Sequence, residues 1–256
     1  MNRFFFIFSV FLLLVFGVSC GKKYKSLTTQ ELLQQSLALS LEGKWSDAEN
    51  MAACVLEREP GNVAALIIEG LALDADNKRE LAVGCLEKAV SKAPDNFMAN
   101  HSLGRIFLAQ KKYDQALPLL KKAYELNQAE MNNLILLAET MNKLKMSGAS
   151  SYYACALRNP RFKNDPAPWN QLGLIFAGTS SKKQALDFFI KSYKADQNNH
   201  LVVLNLAVFL DRYLNNTFKS RPFYEKYLRL TEKNPALSEK RAEIKKRLKE
   251  ITGPRA

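Results

Sequence analysis

Histidine, cysteine and glycine are all sparse in this chain, and each scarcity closes off a class of chemistry. The two histidines, His101 and His200, have no cysteine or carboxylate at ligand spacing, so no metal site is expected. Four irregularly spaced cysteines make neither a disulfide framework nor a zinc site. Eleven glycines and nine prolines are scattered, with no low-complexity segment and no glycine-rich phosphate loop. No nucleophile elbow and no pair of carboxylates in an evident cleft appears either, so neither an enzyme nor a cofactor is expected. An apolar share of 47% is ordinary and rules out a polytopic membrane protein.

What the chain does have is periodicity. Residues 100–127 read NHSLGRIFLAQKKYDQALPLLKKAYELN, two short apolar-periodic segments meeting at Gln110–Lys112. Helical spacing puts Leu103, Phe107 and Leu108 on one side of the first segment, and Ala116, Leu120 and Ala123 on one face of the second. Gly104 and Ala116 are small where paired helices would approach closely. The pattern resembles the tetratricopeptide repeat, a helix–turn–helix unit of about 34 residues.

Laid over the whole chain, that register gives six copies, at residues 29–62, 63–96, 97–130, 131–165, 166–199 and 200–234. Gly70, Ala82, Ala89, Gly173, Ala185 and Phe189 fall at repeat positions, and Pro60 and Pro94 lie one repeat apart. The fourth copy fits only if one residue is dropped at its inter-helix turn. The sixth needs one extra residue near Asn215–Asn216, which then places Ser220, Tyr224 and Tyr227. A single repeat cannot bury its apolar face alone, so stacked neighbours must supply the core. The expected fold is all-α, an α-solenoid of about six repeats closed by a capping helix in residues 235–256.

The resemblance also implies a binding groove along the inner faces of the first helices. The matching positions are Leu33 and Leu37 in the first copy, Ile67 and Leu71 in the second, and Met98, His101 and Arg105 in the third. Ile135 and Glu139, Asn170 and Leu174, and Leu204 and Val208 follow in the last three. This surface is mostly apolar and lacks the Lys and Asn set of a carboxylate clamp. For any one of these residues, packing between repeats is the competing reading.

Residues 1–19 read as a signal peptide. Asn2–Arg3 precede a nearly unbroken apolar run from Phe4 to Phe16, too short to cross a bilayer core of about 30 Å comfortably. Gly17-Val18-Ser19 then leads into Cys20, which resembles a bacterial lipobox, although Gly17 stands where Leu is usual. An ordinary signal peptide or short anchor is the alternative. The resemblance implies lipidation at Cys20, and Gly21, rather than Asp, after it implies the outer membrane, facing the periplasm. Residues 20–28, with Lys22, Lys23 and Lys25, read as a basic tether.

Charge is unevenly placed. Of a net +12, the body from Leu27 to Asn216 is nearly neutral, which argues against a nucleic-acid groove. The last forty residues hold twelve basic and five acidic side chains. Leu237, Ile244, Leu248 and Ile251 form an amphipathic stripe with Ser238 as N-cap and Gly253-Pro254 as stop. Lys240, Lys245, Lys246, Arg247 and Lys249 make a candidate basic face, either a solubilising cap or a contact for an acidic partner or membrane. Three further expectations are local. Asp114 as N-cap would place Pro118 in a first turn, Arg161 to Pro168 reads as a linker or hinge, and Cys54, Cys85 and Cys155 read as packing residues.

Together these features describe an exported, lipid-anchored protein-binding scaffold of the bacterial envelope. In length, repeat number and lipobox it resembles the pilotin-type lipoproteins that help type IV pilus secretins reach the outer membrane. Binding of an anionic surface through the basic C-terminus is the competing function.

Overall fold

The computed structural model describes residues 24–253. The signal peptide, Cys20, Lys22 and Lys23 at one end and Pro254 at the other lie outside the described residues. Within them the chain is α-helix, short 3-10 and π turns, and loops. It divides into two compact units, one up to Ile106 and one from Phe107.

The first unit holds α1 (Thr29–Leu41), α2 (Trp45–Arg58), α3 (Val63–Ala75), α4 (Arg79–Lys92) and most of α5 (Phe97–Ala109). The second holds α6 (Tyr113–Leu126), α7 (Met131–Lys143), α8 (Ala149–Ala156), α9 (Pro166–Ala177), α10 (Lys182–Ala195), α11 (His200–Val208), α12 (Thr217–Thr231) and α13 (Ser238–Thr252). Each unit is a stack of helical hairpins, the α-solenoid class, with α1–α2 and α3–α4 in the first and α7–α8, α9–α10 and α11–α12 in the second.

Two kinds of helix start alternate, and the sequence explains both. Each first helix begins at a side-chain cap. Thr28 and Glu31 form a reciprocal capping box, and Asn62, Asn96, Glu130, Asp165 and Asn199 each accept a backbone N–H of the helix they open. Second helices opening at Lys44, Lys78, Lys112 and Ser181 have no such bond. The preceding turn positions most of them instead. Gly43, Asn77, Lys111 and Lys145 have positive φ and lie about 34 residues apart. The next residue's N–H then bonds back into the first helix: Lys44 to the Leu39 carbonyl at 2.9 Å, Lys78 to Leu73 at 2.8 Å, Lys112 to Phe107 at 2.8 Å and Met146 to Met141 at 2.9 Å. This is a Schellman end, which favours glycine at the left-handed position. Lys111 holds φ 61° there with a β-carbon in the way. Lys111→Gly is therefore expected to raise stability by about 0.5–1 kcal/mol, read from urea midpoints, whereas the same change at solvent-exposed Lys121 should lower it.

The core follows the repeat positions. Ala48, Ala82, Ala116, Ala149, Ala185 and Ser220, the small residues of the second helices, are all buried. In the first unit Leu32, Ala48, Met51, Ala52, Val55 and Ile68 make one cluster. In the second, Ala138, Tyr153 and Leu172 form one layer, Phe189, Leu206 and Phe209 another, and Val203, Ala207, Tyr224, Tyr227 and Ile244 a third. Gly70 and Gly173 mark close approaches. A β-carbon at Gly70 would lie 2.7 Å from Leu86 Cγ, and one at Gly173 would lie 2.7 Å from Phe189 Cδ1.

Several local expectations are corrected. The extra residue of the sixth copy is not in the loop at Asn215–Asn216. It is absorbed inside the first helix, where α11 continues as a π turn over Phe209–Tyr213 and Leu214 N–H reaches the Phe209 carbonyl. Asn215 then takes the usual left-handed turn, φ 50°. A helix fixed at both ends by packing accommodates one added residue by widening a turn. Asp114 does not cap α6; Lys112 does, so Pro118 lies well inside the helix. Pro222 occupies the same place in α12, counted from Asn216. Both prolines are exposed, so water can take the carbonyl each leaves without its helical donor.

Arg161 to Pro168 is structured rather than an open linker. Pro160–Phe162 is a 3-10 turn with Phe162 buried, and Pro166 to Pro168 already belong to α9. Ser238 is the first residue of α13 rather than its cap, which is Leu237 at the end of a 3-10 turn.

The tether is also shorter than residues 20–28. Tyr24 and Leu27 pack on the first-unit core, and the Arg58 guanidinium donates to the Leu27 carbonyl at 2.7 Å and the Tyr24 carbonyl at 3.2 Å.

Candidate functional site

The first-helix faces can now be read within each unit. In the first, Leu37 and Met98 are exposed, Leu33 and Leu71 are half-buried, and Ile67 is in the core. Side chains of α5 are held in place from α3 and from within α5 itself. Arg105 Nη2 donates to Asp74 Oδ2 at 2.8 Å, with Arg79 3.5 Å from the other Asp74 oxygen. His101 stacks on Phe97 with ring centroids 5.4 Å apart. Arg105 is thus a partly exposed cation whose geometry is set by an acid two helices earlier in sequence.

In the second unit the candidate positions separate. Leu174 is exposed and Glu139 half-exposed, while Ile135 packs against the Tyr153 layer. Asn170 is buried and accepts a bond from Asn205 Nδ2 at 3.0 Å, tying α9 to α11. Leu204 and Val208 pack against the layer that contains Ile244 of α13. The terminal helix contributes Ile244 to that layer and packs chiefly on α12.

The C-terminal helix combines a packed face with a charged one. Ile244 is buried, with Leu248 and Ile251 packed beside it, whereas Leu237 stands outside this cluster. Lys245, Lys246 and Lys249 are exposed, and Lys240 pairs with Glu243. Arg247 departs from the basic face. It turns inward, with Nε 2.9 Å from Asp211 Oδ2 and Nη2 2.8 Å from Asp211 Oδ1, while Nη1 meets Glu250 at 3.0 Å. The Asp211 side chain is fully buried and also accepts from the Tyr224 hydroxyl at 3.0 Å. The Arg247 guanidinium first, and the Tyr224 hydroxyl second, hold the Asp211 carboxyl below the usual carboxylate range. Asp211 lies in the π turn, so the inserted residue and the docking of α13 meet at one ion pair.

Among the described residues no group of three or more His, Cys, Asp or Glu is placed to hold a metal. Cys85 donates toward Glu69 Oε2 at 3.4 Å, and burial first, with that carboxylate second, pushes its thiol up to about 12. A thiol in that state is protonated and a poor nucleophile.

One surface was missed by sequence reasoning. Between α10 and α12 lies an apolar groove of about 650 Å³ with Leu206 and Leu210 among its lining residues, flanked by Leu186 and Ile190 on one side and Phe218 and Pro222 on the other. Its sequence signal was the second apolar stripe of α10, Leu186 and Ile190, beside the core stripe of Ala185 and Phe189.

The family model for the tetratricopeptide repeat matches residues 69–130. No curated protein matches the chain by sequence. Among solved structures, PilF of Pseudomonas aeruginosa is similar at 18% identity, covering 84% of this chain and 97% of that one, with a TM-score of 0.67. A tetratricopeptide repeat protein from Parabacteroides merdae is similar at 15% identity, covering 87% and 88%, also at 0.67. YrrB, a tetratricopeptide repeat protein with an unusual peptide-binding site, is similar at 19% identity, covering 72% and 93%, at 0.60. At such identities the likeness is one of fold, and the fold is that of tetratricopeptide repeat proteins.

Proposed function

We propose that this chain is a lipid-anchored scaffold of the bacterial envelope that binds a protein partner through its repeat surfaces. The observation that supports binding is the exposure of large apolar side chains on first-helix faces, Leu37 and Met98 in one unit and Leu174 in the other, beside the oriented Arg105. Isolated exposed leucines need no explanation, but Leu37 and Leu174 recur at one repeat position, nine residues past the caps Thr28 and Asp165. Anchoring rests on sequence alone, on the apolar run from Phe4 to Phe16 ahead of Cys20. The outer membrane facing the periplasm follows from Gly21 after that cysteine.

Cys20→Ala is expected to leave the precursor unprocessed or to release the protein from the membrane fraction. Wild-type migration and fractionation of that variant would remove the lipoprotein reading. Met98→Asp, at an exposed position, should weaken co-purification of an envelope protein without lowering the melting temperature. In the finer reading the scaffold assists assembly of a pilus secretin, and cells lacking it would fail to place secretin multimers in the outer membrane. A second reading is favoured by exposed Lys245, Lys246 and Lys249, which suit an anionic surface; it requires vesicle binding that weakens with salt.

A further inference from the structure

The apolar groove between α10 and α12 lies outside the first-helix faces on which the scaffold reading rests. Its floor is part of the core, since Leu206 and Leu210 are buried beneath it. Its walls are open: Ile190 is 36% exposed and Phe218 is 87% exposed, a large apolar ring left in water. A volume of about 650 Å³ falls inside the range of about 300–1,000 Å³ usual for ligand pockets. Two helices flanking an apolar cleft form the seat for an amphipathic helix.

Charge selects the occupant. The acid on the lining, Glu225, is neutralised by Arg221 at 2.8 Å, and Asp187 of α10 by Lys191 at 2.8 Å. Lys219 lies on the lining, exposed and in no ion pair among the described residues. Lys183 stands one turn ahead of Leu186 on the same stripe of α10, also exposed and in no ion pair among the described residues. A net charge of +12 opposes a second copy of the same chain as the occupant. The groove thus presents apolar walls with unneutralised cations beside them.

We propose that this groove docks an acidic amphipathic helix of a partner protein, its apolar face against Leu186, Ile190, Phe218 and Pro222 and its carboxylates meeting Lys183 and Lys219. The proposal deepens the scaffold reading and rests on it.

The test uses the full chain and a fluorescent, helix-stapled peptide with leucines at i, i+3, i+4 and i+7 and glutamates on its flanks. A twin carries lysine for each glutamate. The acidic peptide is expected to bind, with the lysine twin weaker by about tenfold or more, and hydrogen exchange should slow along α10 and α12. Phe218→Ala, and separately Lys183→Glu with Lys219→Glu, should each weaken binding by about tenfold while leaving the urea midpoint in place, since these side chains lie in water. No binding by the acidic peptide, equal binding by its twin, or protection elsewhere overturns the proposal.

Sedimentation supplies another arm. A concentration-dependent dimer dissolved by Phe218→Ala would make the groove a self-interface and overturn it, as would protection of α10 and α12 by anionic vesicles alone. An envelope partner retained by a well-folded Phe218→Ala protein that no longer binds the peptide would also overturn it while leaving the scaffold reading standing.

Discussion

Arg247→Met is expected to cost about 3–5 kcal/mol. The substitution keeps most of the aliphatic volume but removes three hydrogen bonds, two of them to a carboxylate with no solvent exposure. Asp211 would be left with the Tyr224 hydroxyl alone. Because the penalty is that of an unpaired buried charge, Asp211→Leu combined with Arg247→Met should recover much of the loss. The cycle of urea midpoints measures this directly. A double variant no better than Arg247→Met would contradict it.

The same pair makes stability acid-sensitive in a defined direction. The folded pKa of Asp211 is depressed below its ordinary 3.8, so the native state binds that proton less readily than the unfolded chain does. Its stabilising contribution is present in full above the unfolded value and is lost as pH falls through the lower folded one. The gap between wild type and Arg247→Met should therefore be widest near neutrality and narrow as pH falls below about 4. A gap independent of pH would mean that Arg247 acts by packing alone.

Gly173→Leu should cost about 1–3 kcal/mol, for a steric reason. The added β-carbon alone would lie 2.7 Å from Phe189 Cδ1 and 2.8 Å from Cε1. Phe189 cannot swing away cheaply, being 1% exposed and packed on Phe209 with ring centroids 5.0 Å apart. Gly84 supplies the contrast, because a β-carbon there meets nothing within 4 Å. Gly84→Ala should stabilise by about 0.5–1 kcal/mol through the better helix propensity of alanine. Thermal shifts of the same sign at both positions would show that the close approach of α9 and α10 is not what glycine serves.

These two sites mark how far local pattern reached. The fold class and the candidate close-contact glycines were readable because each hairpin repeats one local solution. Small residues at Ala48, Ala82, Ala116, Ala185 and Ser220 say where a second helix must pack tightly. The turn was readable in principle too, since Gly43 and Asn77 are residue types that accept positive φ, but Lys111 and Lys145 hide the same geometry behind a poor residue choice. Helix starts were misjudged where the cap is a backbone device rather than a side chain, as at Lys112 for α6.

The candidate site was less legible. Apolar positions on the first helices look alike in sequence, yet Ile67 is core, Leu37 is exposed, and Leu204 packs in the layer that the terminal helix completes. Which face a helix buries is written in its own spacing, because side-chain direction is set by helical geometry. The amino-acid sequence alone therefore determined the helical repeat, its period and the small-residue positions. Its basic C-terminus was equally plain from composition. Tertiary structure decided what covers each face. It turned Arg247 away from the basic stripe and onto Asp211, took the added residue of the sixth hairpin into a π turn, docked Tyr24 and Leu27 beside Arg58, and left Phe218 in water beside an apolar groove. The contacts of Arg247, of Tyr24 and Leu27, and of the groove join elements more than one helix apart in sequence, which no local periodicity records.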